Sequence, residues 1–183
     1  MKKFILTAAI ILTAFAGAFA QSTNPGPTSA TANLSVTINP IQSIKVNGDG
    51  VNLNYASTED YKNGVTEERQ NHLTVYSTGA FQVKVKATDL ATDDNKTIDA
   101  SGITVTAANG STNGLAQLAS AGAVPLPTDQ AATIFTSTEG GVDRNVNVTY
   151  KGKGGDAYIN KYFKNTANKN VYKTVVTYSI EAM

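Results

Sequence analysis

The chain has 183 residues, 15 Lys and Arg against 14 Asp and Glu for a formal charge of +1, and no cysteine. Its length suits one domain with a proper core, its near-neutral charge offers no basic face to a nucleic acid, and the missing thiols exclude disulfides, a cysteine nucleophile and a cysteine-borne lipid anchor. Charged residues make up only 16%, against about 25% in an ordinary soluble domain, and Thr, Asn, Ser, Gly and Val take their place, as suits β-structure outside the cell.

Residues 1–20, MKKFILTAAIILTAFAGAFA, open on Lys2 and Lys3, run through an apolar stretch broken by threonine and glycine, and end on Ala18-Phe19-Ala20. That is the pattern of a cleaved signal peptide. It predicts export, a mature chain starting at Gln21 and no membrane span in that mature chain. Residues 21–31, QSTNPGPTSAT, are rich in proline and small polar groups and read as a flexible leader. The folded domain is expected over 32–183.

From Ala30 to Pro40 the chain reads ATANLSVTINP, in which Ala32, Leu34, Val36 and Ile38 alternate with Asn33, Ser35, Thr37 and Asn39. This period of two predicts a strand with one dry and one wet face. So near the mature N-terminus, the dry face can complete its own sheet or a neighbour's.

Ile41 to Val46 predicts a short strand, and Asn47-Gly48-Asp49-Gly50 a turn leading into a hairpin partner at Val51, Leu53 and Tyr55. Thr58 to Gln70 reads as a polar loop with a helical turn at most, after which strand character returns at Leu73 to Tyr76. Phe81, Val83, Val85 and Ala87 against Gln82, Lys84 and Lys86 form the cleanest half-buried strand. Asp89 to Ser101 is a polar loop, Ile103-Val105-Ala107 a strand, Asn109 to Asn113 a turn, and Leu115 to Ala121 a short helix. Strands follow at Thr133 to Phe135 and Val146 to Tyr150. The chain closes on one running from Tyr172 to Ile180. Roughly eight to ten short strands separated by turn chemistry predict an all-β fold, a single β-sandwich of Ig-like or Greek-key type.

LSVTINP near the mature start, LTVYSTGAFQVKVKATD in the middle, VNVTYKGKG, and VYKTVVTYSIEA at the close resemble bacterial surface β-sandwich proteins: fimbrial or pilin-like subunits, spore-coat-U-like subunits and WxL-type surface domains. The chain has no tryptophan, so the WxL signature itself is missing, and it lacks the cysteine pair many pilins carry. The resemblance implies a non-enzymatic surface, matrix or filament subunit and names no ligand.

No catalytic constellation is visible, and no enzyme is predicted. His72, the single histidine, has no GxSxG-type nucleophile motif beside it and reads as an exposed or loop-capping residue. Lys151-Gly152-Lys153-Gly154-Gly155 lacks the Gly-Lys-Ser/Thr ending of a phosphate loop. Asp89, Asp93, Asp94 and Asp99, with Asn95, make an oxygen-rich loop in which calcium is the one cofactor to test, although the spacing fits no EF-hand. Tyr158 and Tyr162 lie in a polar loop and are candidates for stacking on a glycan. Leu34, Val36 and Ile38 are the candidate subunit-binding residues, filling successive pockets if the opening strand is donated to a neighbour. The sequence thus points to a secreted subunit that self-associates into filaments or joins surface-layer proteins, the alternative being a monomeric adhesion or carbohydrate-binding module.

Overall fold

The computed structural model describes residues 28–164, 167 and 169–183. The signal peptide read at 1–20 and the leader up to residue 27 lie outside the described residues. The chain divides into two units, Met1–Thr37 and Ile38–Met183. In the first, residues 28–37 are exposed and carry no strand or helix. The strand expected across Ala32 to Asn39 is therefore not formed, and regular structure begins only at Gln42. An alternating segment gains nothing from its dry face until a sheet edge receives it, so a strand without a partner does not persist.

Among its described residues, the second unit is all β apart from one short helix and a single 3-10 turn. Its elements are β1 (Gln42–Val46), α1 (Thr58–Asn63), β2 (Thr66–Ser77), β3 (Phe81–Lys86), β4 (Leu90–Ala91), β5 (Thr97–Ile98), the 3-10 turn Ala100–Gly102, β6 (Ile103–Asn109), β7 (Leu118–Ser120), β8 (Val124–Pro125), β9 (Ala132–Ser137), β10 (Gly141–Gly152) and β11 (Thr177–Ala182). Two antiparallel sheets, ordered β1-β2-β10-β6-β8 and β11-β3-β9-β7, are joined by a small β4-β5 hairpin. From β2 onward the main strands alternate between the sheets, so that hydrogen-bonded neighbours are mostly distant in sequence.

The inner faces meet as a sandwich. Leu73 and Val75 of β2, Val105 and Ala107 of β6, and Val146 and Val148 of β10 pack against Phe81, Val83 and Val85 of β3 and Ile134 and Phe135 of β9. Phe81 and Phe135 meet edge to face at 6.1 Å, a geometry that aligns ring edge with ring face. Full burial of each such side chain contributes about 1.5–3 kcal/mol.

Register shifts break strict alternation at three places, one of them between Gly141 and Arg144 in β10, and the other two shape the core. In β9, Val83 faces Phe135 while Lys84 faces Thr133, so Ile134 is skipped and both Ile134 and Phe135 turn inward. In β2 the register slips between the Leu73–Val146 and Arg69–Val148 pairs, with Asn71 at φ 51 in the left-handed region. Consecutive His72 and Leu73 are then both buried.

Several expected elements differ. Val51, Leu53 and Tyr55 keep their alternating burial but form no ladder. Residues 66–70, read as the end of a loop, belong to the first half of β2, where Thr66 to Arg69 pair with Lys151 to Val148. The helix expected from Leu115 contains instead the edge strand β7, paired with β9; alanine and glycine gave the segment little helical preference to set against that pairing. The closing strand starts at Thr177. Upstream, Lys173 makes one isolated bridge to Ala91.

Candidate functional site

Leu34, Val36 and Ile38 are 92%, 79% and 81% exposed. They are three large apolar side chains at strand spacing, in a stretch that carries no charge between Gln21 and Ser43. A soluble surface tolerates such residues singly, whereas a regular row of them on an unpaired backbone is the composition of a segment that adds to a sheet. The dry face read from the sequence is real as a pattern and uncovered in the single chain.

The tyrosine candidates part company. Tyr158 is half-buried: its hydroxyl donates to the Gly102 carbonyl at 3.2 Å and its ring stands edge-on to Tyr55 at 5.0 Å. Tyr55 in turn donates to the Lys153 carbonyl at 2.9 Å and leans on Tyr61. Burial, and then the neighbouring Tyr158, push the Tyr55 phenol up to about 12. These rings tie the α1 region to the end of β10, and Gly102 and Gly152 lie directly beneath the Tyr158 and Tyr55 hydroxyls, where a Cβ has no room. Tyr162 is 54% exposed, and no ring contact joins it to Tyr158 among the described residues.

The acidic loop is committed locally. Asp89 accepts the Ala100 N–H at 3.0 Å, and Asp99 caps the 3-10 turn through the Ser101 N–H at 2.7 Å. The bonds from Ser101 hold the Asp99 carboxyl below its usual range. Asp93 pairs with Lys173 at 3.6 Å, and Asp94 is exposed at the tip of the β4-β5 hairpin. Among the described residues no three His, Cys, Asp or Glu side chains are grouped so as to hold a metal ion.

A surface groove of ≈ 470 Å³ runs between residues 86–88 and 173–175. Much of its polar lining is engaged locally: Lys86 donates to the Asp129 carbonyl at 2.6 Å, Lys173 meets Asp93 at 3.6 Å, and the Thr88 and Thr174 hydroxyls bond each other at 3.0 Å.

His72 corrects the sequence reading. It is 4% exposed, with Nδ1 at 3.1 Å from the Asn47 carbonyl, Nε2 at 3.0 Å from the Tyr150 hydroxyl, and that hydroxyl at 2.5 Å from Tyr178. The chain of bonds crosses from β2 and β10 to β11, linking the two sheets through the core. Beside it, Asn71 donates its N–H to Asn147 Oδ1 at 2.7 Å, and Asn47 Nδ2 donates to the Asn71 carbonyl at 2.8 Å, satisfying the polar groups that the bulge frees.

Among the described residues, no helix is long and apolar enough to cross a membrane. No protein-family model and no curated protein sequence matches the chain.

Proposed function

We propose that this protein is a secreted, non-enzymatic subunit of a bacterial cell-surface assembly, a pilus-like filament in which the N-terminal strand of one subunit adds to the sheet of the next. One observation carries the reading: Leu34, Val36 and Ile38 alternate as a strand does and stand exposed, outside the sandwich that begins at Gln42. Ladder hydrogen bonds supply the affinity and the three side chains fill alternate pockets. Each subunit uses one surface to give and another to receive, so the contact does not close and fibres result.

Val36→Asp tests this. The charge sits at the middle of the donated face, where burial without a partner is prohibitive, and outside every strand of the sandwich. Polymers are expected to disappear while a folded monomer of unchanged melting temperature remains. Loss of the fold in that variant contradicts donation and places the segment in its own sheet.

A second reading rests on Tyr162 and Ile159, both more than half exposed in the polar loop after β10. In a monomeric adhesion or carbohydrate-binding module, Tyr162 stacks on a sugar face, while Tyr158 anchors the loop through Gly102. Glycan-array binding lost on Tyr162→Ala favours that reading; binding that the substitution leaves unchanged removes the site.

A further inference from the structure

A donated strand needs an acceptor, and the edges of the sandwich differ in their fitness for it. Four strands lie at edges: β1 and β8 in one sheet, β11 and β7 in the other. β8 has 2 residues and β7 has 3, whereas β1 has 5 and β11 has 6. The two long edges pack against each other along one side of the sandwich.

Ladder parity says which backbone groups each edge offers. In an antiparallel pair, alternate residues exchange both their N–H and C=O with the partner, and those between them point away from it. Met183 N–H donates to the Ala80 carbonyl at 3.2 Å, and Thr177 pairs with Lys86 in the same register. Thr177, Ser179 and Glu181 are therefore spent on β3, while Tyr178, Ile180 and Ala182 turn their N–H and C=O to the outer edge. The side chains of Tyr178 and Ile180 are half-buried against the core. β1 has the same parity, since Asn47 N–H donates to His72 and Thr78 N–H to Ile41, but it carries Lys45, exposed and without an ion pair among the described residues. An unpaired lysine on an edge is a guard against strand addition. The only charge on β11, Glu181, is held by Lys84 at 2.5 Å.

We infer that the outer edge of β11, Thr177–Ala182, is the acceptor and that it takes Asn33–Ile38 of a second copy of this chain. This rests on the strand-donation reading and gives it an address. Donor and edge are equal in length, the donor brings no charge, and its apolar row extends the inward row of Tyr178 and Ile180 over the seam beside Ile44 of β1. The exposed polar residues Ser35 and Thr37 then continue the outer face of Ser179.

The cysteine-free chain allows a clean cross-linking test. Ser35→Cys lies at the middle of the donor and Ser179→Cys at the middle of the edge, both on the outer face, so the thiols come within disulfide reach whether the strand adds parallel or antiparallel. The two single variants of the mature chain are mixed, polymerised under oxidising conditions and separated without reductant, with Ser43→Cys on β1 and Ser120→Cys on β7 as alternative acceptors. A disulfide-linked dimer with Ser179→Cys, and its loss with Ser120→Cys, is the expected result. Polymers that link mainly through Ser43→Cys or Ser120→Cys, or that form without any Ser179→Cys link, overturn the β11 assignment and leave strand donation standing. If no mixture forms polymers, strand donation falls with it.

Discussion

His72 shows how much one residue's surroundings decide. A backbone carbonyl only accepts, so the contact with Asn47 fixes the proton on Nδ1 and leaves Nε2 to accept from Tyr150, whose oxygen then accepts from Tyr178. Burial pushes the His72 pKa below its ordinary 6.5; the Asn47 bond offsets part of this, and the Arg69 charge adds to it. Because the folded value is the lower one, the unfolded chain takes up the proton more readily. Stability is full above about pH 6.5 and falls as the pH drops toward the depressed folded value. The urea midpoint is expected to fall between pH 7 and pH 5, and His72→Gln to flatten that slope; equal slopes in the two proteins contradict the buried, neutral imidazole. The sequence hid this residue. Strict alternation turns His72 away from Leu73 and Val75, and only the left-handed Asn71 reverses it.

At the scale of elements, the strands with a clean period of two and a polar outer face were legible, β3 above all, because their pattern and their environment agree. Those misread owe their state to distant partners. Residues 66–70 are polar enough for a loop and become strand beside β10; Leu118–Ser120 is strand because β9 lies beside it. Val51 to Tyr55 has the alternation without the ladder, since burial of one face and hydrogen bonding to a neighbour are separate conditions. The β9 bulge seats both Ile134 and Phe135 in the core, each fully buried. Phe135→Ala removes the ring that meets Phe81 and is expected to cost about 3–5 kcal/mol in urea unfolding. A loss below about 1 kcal/mol contradicts a close-packed core there.

For the molecule as a whole, composition and turn spacing carried the architecture: sparse charge, no cysteine and short strands at even intervals lead to an all-β sandwich. The order of strands was beyond reach, because neighbours such as β2 and β10 are brought together by tertiary packing and not by adjacency. Of the candidate site, the alternating row Leu34, Val36 and Ile38 was readable as a pattern, while its exposure outside any strand and the edge position of β11 were not. A chain without cysteine depends on packing and ladders for its strength, and an added strand extends both. The mass of the chain from Gln21 to Met183, measured by light scattering with electron microscopy of the same sample, tests the proposed strand addition most directly. Filaments, or a ladder of multimers at integral masses, are the expected result. A single monomeric species across concentrations contradicts subunit-to-subunit strand addition.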